Sequence, residues 1–351
     1  MSAAVLADLS AQVRDAAARQ CPLKIIGGNS KHDWWQTSAV DALNLSALTG
    51  IIKYEPSELV IRAYAGTRVA EIEAALFARG QILAFEPPHT GVTATLGGAV
   101  ATGLSGPARP YRGALRDFVL GVGVMNDTGE VLQFGGDVMK NVAGYDVARL
   151  ITGAWGRLGP IVEVALRVRP QSVTTCSLSW RGALDEALQR MRELQARALP
   201  LSALAFADGT MHVRLSGTAA AVETTAAALN FALSSDADTW WSSLRDFSHP
   251  FFTGRRPLWR IMVPPATAPL ALGGDWLIDW GGALRWYRGE NPPAEIMRIV
   301  SAAHGNARRW PHARGELAAP LAAPLAALTE RIVRSFDPNG LFNPLSSGEE
   351  R

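Results

Sequence analysis

The sequence predicts an α+β protein of two domains, and three observations carry that expectation. At 351 residues the chain is longer than one hydrophobic core usually organises, so about two domains are the default. Short β-rich runs mix with helical spacings without a regular strand–helix–strand alternation. The glycines are uneven: 20 of 33 precede residue 171. Charge is nearly balanced, 34 Lys plus Arg against 32 Asp plus Glu for a net +2, with the signs interspersed. That leaves no electrostatic footprint for nucleic acid. Two cysteines, Cys21 and Cys176, supply neither a disulfide framework nor the roughly four thiolates of an iron–sulfur cluster. The first 19 residues carry Asp8, Arg14 and Asp15 and do not read as a signal peptide. No later stretch reaches the ~18 apolar residues that would span a bilayer.

Taken in order, Leu23-Lys24-Ile25-Ile26 is a strand running into Gly27-Gly28-Asn29-Ser30. Residues 51–54 and 59–65 read as strands joined by Glu55-Pro56-Ser57-Glu58. Thr67 is expected to cap a helix whose Val69, Ile72 and Leu76 share a face and which ends at Gly80. Residues 86–113 are rich in glycine and proline with little periodicity. Strands follow at 118–124 and 131–134 around the turn Asn126-Asp127-Thr128-Gly129, and again at 160–168. Past Arg169-Pro170 the texture changes. Leu184, Leu188, Met191 and Leu194 mark a helix, 211–215 a strand, 218–233 an Ala-rich helix, 259–263 and 276–280 strands, and 295–303 a helix. These form a second domain in which a sheet is covered by helices. A helix at 324–335 and the tail Asp337-Pro338-Asn339-Gly340-Leu341-Phe342-Asn343-Pro344 close the chain. The expected domains are therefore 1–170, 171–318 and 319–351.

Three glycine-rich segments could bring backbone N–H groups together around an anion. They are Gly27-Gly28-Asn29-Ser30-Lys31, the stretch from Thr95-Leu96-Gly97-Gly98 through Thr102 to Ser105-Gly106, and Gly153-Ala154-Trp155-Gly156-Arg157-Leu158-Gly159. Each alone reads more readily as a tight turn, whereas three in one domain suggest a large ligand with a diphosphate. None is a G-x-G-x-x-G placed between strand and helix with an acid about 20 residues on, and no Walker A sequence is present. A dinucleotide would need another fold.

The ordered set Glu86-Pro87-Pro88, Thr95-Leu96-Gly97-Gly98 to Gly106, Arg116-Asp117-Phe118, Gly135-Gly136, Lys140-Asn141-Val142-Ala143-Gly144-Tyr145-Asp146 and Gly156-x-x-Gly159-x-Ile161-x-Glu163 resembles the p-cresol methylhydroxylase (PCMH)-type FAD-binding domain of the vanillyl-alcohol oxidase superfamily. Together with Glu86-Pro87-Pro88-His89 and the run from Leu277 to Trp286, the chain resembles the FAD-binding subunits of bacterial glycolate oxidases. The resemblance implies a two-subdomain FAD domain, an α+β cap domain and a C-terminal segment returning to the FAD domain. It assigns Gly27, Gly28, Asn29, Ser30 and Lys31 to the pyrophosphate, with Pro87, Thr95, Leu96, Gly97, Gly98, Thr102, Ser105, Gly106, Gly156 and Gly159 lining the cofactor. Ile161 and Val162 would meet the adenine, and Asn343 would lie near the isoalloxazine. Relatives that hold flavin covalently have a histidine in the first loop. Here the loop reads Asn29-Ser30-Lys31 and the first histidine is His32, so non-covalent FAD is expected.

Oxidation of a 2-hydroxy acid needs a base and a cation for the carboxylate. Arg285 and Arg260 are the candidate cations because each lies in an apolar, aromatic stretch; a structural salt bridge with Asp279 remains the alternative. Of six histidines, His32, His89, His212, His249, His304 and His312, none forms a metal-ligand spacing, so no metal is expected. All read as surface or loop residues except His89, which the resemblance places against the flavin. The tryptophans of the second domain read as core or interface anchors. Two functions stay open: a flavoprotein that oxidises glycolate or a similar small 2-hydroxy acid such as D-lactate, and an FAD-binding relay or assembly subunit. The resemblance implies two partners, a larger FAD-containing homologous subunit and an iron–sulfur subunit that takes the electrons. It also implies a cytoplasmic location with at most peripheral membrane association.

Overall fold

The computed structural model describes residues 2–34, 37, 39, 41–136, 146–311 and 323–344. The Lys140-to-Tyr145 part of the motif set and His312 lie outside them. The chain divides into two compact units. Unit 1 is Met1–Ser105, Ala114–Pro170 and Pro320–Arg351; unit 2 is Gly106–Gly113 and Gln171–Ala319. The eight residues Gly106–Gly113 thus belong with unit 2, not with the contiguous 1–170 expected from sequence texture.

Unit 1 opens with helix α1 (Ser2–Arg19), which buries Leu9, Val13 and Ala16. Strands β1 (Leu23–Ile26) and β2 (Asp41–Asn44) pair in parallel. Leu23 also bridges Phe342, so the C-terminal tail extends this small sheet. Leu43, Leu45, Leu48, Leu341 and Phe342 join the α1 side chains in one cluster. The larger sheet is antiparallel, ordered β3-β4-β8-β6-β7, with β3 (Ile51–Glu55), β4 (Val60–Tyr64), β6 (Val119–Met125), β7 (Val131–Gly135) and β8 (Ile161–Arg167). Helices α2 (Val69–Phe77), α3 (Leu96–Thr102) and α5 (Val147–Ile151) contribute to its core, and α10 (Ala323–Phe336) packs Ile332, Val333 and Phe336 against it. β5 (Gln81–Ile82) pairs with β9 (Arg169–Pro170).

Thr67 does not cap α2. The N-cap is Arg68 without a side-chain bond, because the Thr67 hydroxyl is already engaged with the backbone of Gly50. The turn at 126–129 forms as expected, with Asn126 Oδ1 accepting from the N–H groups of Thr128 and Glu130. The aperiodic 86–113 stretch holds α3 and the single turn α4 (Arg109–Arg112).

Unit 2 is built on one antiparallel sheet of eight strands in the order β13-β10-β12-β11-β15-β16-β14-β17. Its first half contains β10 (Thr174–Arg181), α6 (Leu184–Gln195), β11 (Leu201–Ala207), β12 (Thr210–Gly217), α7 (Ala219–Leu229) and β13 (Ala232–Leu233). After α8 (Ala237–Arg245) come β14 (Leu258–Met262), β15 (Asp275–Asp279), β16 (Leu284–Arg288), α9 (Pro293–Ala302) and β17 (Asn306–Trp310). The pair Phe206↔Ile278 joins the halves. Sequence periodicity missed β10, β11, β16, β17 and α8. β16 (Leu-Arg-Trp-Tyr-Arg) has every residue buried, so it shows no alternation to read.

Candidate functional site

One cavity in unit 1, about 880 Å³ counting its open mouth, is walled by all three glycine-rich segments. β1 delivers the chain to it. Beyond Ile26 the backbone enters Gly27-Gly28-Asn29-Ser30-Lys31, and all five residues line the space. Among the described residues, no acceptor is found for the N–H groups of these five. Ser30 Oγ lies 2.9 Å from Thr90 Oγ1, which ties the first loop to the segment before α3.

The close approach of these loops requires glycine. A Cβ on Gly28 would sit 1.5 Å from the Thr93 carbonyl oxygen, an impossible contact. Thr95 caps α3 by accepting from Gly98 N–H at 3.3 Å, and Leu96 and Gly97 N–H donate to Thr67 and Ala65 carbonyls. Thr95, Gly97, Gly98 and Thr102 line the cavity; Leu96 instead points into the core. From the third loop come Trp155 and Gly156. Gly156 has φ +77°, and a Cβ there would meet Asn343 Nδ2 at 2.7 Å.

Asn343 is the bracket that holds these walls together. Its Oδ1 accepts from Ile25 N–H at 2.8 Å and its Nδ2 donates to Trp155 O at 2.8 Å. Its own N–H donates to Leu23 O. The side chain lines the cavity yet has both ends committed to the protein, so it positions the walls.

Lys31 supplies the charge. Burial pushes its ammonium down to about 8. No ion pair to it is found among the described residues, and the cavity walls include no carboxylate. A half-buried cation beside five undirected N–H groups, with apolar walls at Ile25, Ile26, Leu45, Ala65, Ala101 and Ile161, matches a diphosphate joined to flat aromatic rings. The residues present therefore fit FAD.

Other expected site residues lie elsewhere. Ser105 is occupied, its Oγ accepting from Leu115 N–H at 2.9 Å. Gly106 belongs to unit 2, where its carbonyl accepts from Trp280 Nε1 at 3.0 Å. Gly159 does not line the cavity; at φ +113° it makes the turn into β8, with no room for a Cβ beside Met125 O. Val162 sits in the α1 cluster and its carbonyl accepts from Ala65 N–H, while Ile161 does line the cavity. Pro87 is buried outside the lining; His89, half-buried, also lies outside it, with its Nε2 2.8 Å from Glu73 Oε2 on α2.

The two candidate arginines are both in unit 2. Arg285 is 1% exposed and donates to the carbonyls of Gly282 (3.1 Å), Ala268 (2.8 Å) and Thr267. That pattern makes it a carbonyl clamp, and no salt bridge with Asp279 is formed. Arg260 is buried against Trp280 and Trp286, likewise without an ion pair to Asp279, whose Oδ1 accepts from Trp280 N–H. Of the histidines expected in surface or loop positions, His212 lies in strand β12 and His249 lies in a loop but is buried. His212 stacks on Trp240 at 3.7 Å and burial pushes it down to about 4; His249 is buried beside the same tryptophan and is likewise pushed down by burial. Among the described residues no group of His, Cys, Asp or Glu has metal-site geometry.

Sequence reasoning missed Lys24, Ile25, Ile26, His32, Leu45, Ala65, Ala101 and Trp155 as wall residues. Trp155 was findable, since it sits inside the third glycine loop. Leu45, Ala65 and Ala101 carry no local signal.

A cavity of backbone donors between a small parallel pair and an antiparallel sheet, with unit 2 as a separate α+β body, defines a PCMH-type FAD-binding oxidoreductase. A family model described as an FAD binding domain matches residues 2–135, and FAD is the cofactor of this class. The chain is 41% identical over 333 residues to glycolate oxidase subunit GlcE of Escherichia coli (strain K12), covering 95% of this chain and 94% of the relative. It belongs to that family of FAD-dependent oxidoreductase subunits. D-lactate dehydrogenase of Archaeoglobus fulgidus is 31% identical over 141 residues, 39% of this chain and 31% of that protein. The solved structure of an alkyldihydroxyacetonephosphate synthase aligns with TM-score 0.66 at 13% identity, covering 96% of this chain and 75% of that one, which shows a shared fold. Among the described residues no helix is long and apolar enough to cross a membrane.

Proposed function

We propose that this chain is the FAD-binding subunit of a glycolate oxidase. It oxidises glycolate, or a similar small 2-hydroxy acid, to the 2-oxo acid and passes the electrons to an iron–sulfur partner beside a larger FAD-containing subunit. The observation that carries this reading is the convergence of three glycine-rich loops and Lys31 on one cavity, in a chain 41% identical along its length to a protein named glycolate oxidase subunit GlcE. Bound FAD supplies the hydride acceptor. The chain's residues do the holding: the N–H groups of the first loop and Lys31 take the diphosphate, the apolar walls exclude water from the rings, and Asn343 fixes the separation of β1 from the third loop. Attachment is non-covalent, so acid precipitation should leave the flavin in the supernatant.

A second reading, an FAD relay or assembly subunit, is favoured by one observation. His89, which the resemblance places against the flavin, is tied to Glu73 outside the cavity wall. Anaerobic mixing with glycolate separates the two. Bleaching of flavin in the isolated chain supports substrate oxidation by this subunit; bleaching only after reconstitution with partners supports the relay. A chain that takes up no FAD at all would overturn both.

A further inference from the structure

Unit 2 contains a pair of arginines, Arg260 buried and Arg308 half-buried, that the FAD cavity does not use. β14 lies between β16 and β17, and the register sets Arg260 opposite Trp286 on one side and Arg308 on the other. Directly opposed residues share a face, so the two guanidinium chains stand side by side. Alternate positions of these strands, Trp259, Ile261 and Ala307, enter the apolar cluster with Ile296 and Val300 of α9. The arginines therefore occupy the opposite face, where Trp286 packs with Phe247, Phe252 and Trp310.

The protein gives these two arginines few partners of its own. Arg260 is 7% exposed, and its sole hydrogen-bond acceptor among the described residues is the thioether of Met262, at 3.3 Å. Its guanidinium carbon lies 5.3 Å from the Trp280 ring centre and 5.9 Å from that of Trp286. Arg308 Nε is buried with no hydrogen-bond partner among the described residues, and neither side chain has an ion pair there. Arg109 adds a third cation, 4.4 Å from the Trp280 ring. Burial, then the charges of Arg308 and Arg109, push Arg260 down to about 9, and Asp279 offsets only part of this. Opposed like charges destabilise a sheet, and a buried charge with no partner destabilises it further. A negative group between the two arginines relieves both costs at once.

We propose that Arg260 and Arg308 form a carboxylate-binding site on unit 2 that takes the carboxylate of a small 2-hydroxy acid, with Trp280 and Trp286 as its apolar wall. The substrate class rests on the function proposed above; the anion site rests on the arginines alone. Two planar guanidinium groups match the two oxygens of a carboxylate, and aromatic walls disfavour strongly hydrated anions such as sulfate.

The test uses the full chain loaded with FAD, titrated with glycolate, its neutral amide glycolamide, and sulfate at constant ionic strength. Melting temperature and tryptophan fluorescence are read for wild type, Arg260→Met and Arg308→Gln. Glycolate should raise the melting temperature saturably while glycolamide and sulfate do not. Arg308→Gln should weaken the glycolate response at least about tenfold, the order of one lost charge-assisted contact. Arg260→Met should abolish the response and raise the melting temperature of the ligand-free protein, because the like-charge repulsion is gone. A response that survives in Arg308→Gln, or that glycolamide or sulfate reproduces, overturns the site; if Arg260→Met does not fold, Arg308→Gln decides. Flavin bleaching separates the two claims. Glycolate binding without bleaching keeps the anion site and removes substrate oxidation, whereas bleaching undiminished in Arg308→Gln keeps oxidation and removes the site.

Discussion

The FAD cavity of unit 1 and the arginine face of unit 2 handle charge by opposite means. In the function proposed above, the cavity meets an anion with backbone N–H groups and one lysine, so its specificity is stored in loop geometry and in the glycines that permit it. The face of unit 2 stores its charge in long side chains packed against aromatic rings. A backbone site tolerates many side-chain changes but fails wherever a Cβ blocks loop contact. A side-chain site fails or survives one residue at a time, and each cation must be compensated separately.

Gly28→Ala should break the first kind of site outright. Its Cβ cannot coexist with the Thr93 carbonyl, so the two loops must separate. Loss of about 3 kcal/mol of stability is expected, with flavin content falling to near zero; the flavin-to-protein absorbance ratio and a urea melt check it. Arg285→Met should be comparably destabilising, about 3 kcal/mol, because a buried side chain that ties together the carbonyls of Gly282, Ala268 and Thr267 is lost. The contrast lies in the flavin: purified below its melting temperature, this variant should keep its full FAD content.

Asn343→Ala removes the bonds to Ile25 N–H and Trp155 O, and about 2 kcal/mol should go with them. Here stability and FAD affinity should fall together, since the bracket sets the cavity's width. Measurement of both in one thermal-shift series with and without FAD would expose any separation.

The smallest effect concerns pH. Lys31 titrates at about 8 in the free protein against its ordinary 10.5, so the unfolded chain holds the proton more tightly. Free-protein stability therefore rises as pH climbs from about 8 towards 10.5, because the cost of burying the charge disappears. FAD affinity runs the other way. The diphosphate favours the charged form, so affinity should decline above pH 8 by up to about tenfold per pH unit. Flavin fluorescence titrations at pH 7, 8 and 9 should show this slope in wild type and none in Lys31→Met.

Much of unit 1 was legible because its signals are local. β1, β7, the 126–129 turn and α10 follow from apolar runs and turn residues, and the glycine clusters marked 12 of the cavity's 20 wall residues once Ile161 and Asn343 are included. Ser105, Gly106, Gly159 and Val162 lie outside the cavity lining. A motif says that a residue is special, but Ser105 is special for holding Leu115 and Gly159 for turning into β8. Unit 2 was harder because its strands are buried along their length or carry isolated arginines. The apolar company of Arg285 correctly marked it as a buried arginine needing partners, yet those partners are carbonyls of residues 267, 268 and 282, which no charge pattern announces.

By itself the sequence determined the α+β class, the glycine-built character of the cofactor loops and their family, because these depend on backbone freedom and on spacing within short segments. Only the tertiary structure decided that Asn343, more than 180 residues from Trp155 and more than 300 from Ile25, brackets the cavity. It also decided that Gly106–Gly113 leaves unit 1 for unit 2 and that Arg260 stands opposite Arg308. Those facts depend on which strands become neighbours, and pairing across long sequence separations is set by how whole faces bury one another.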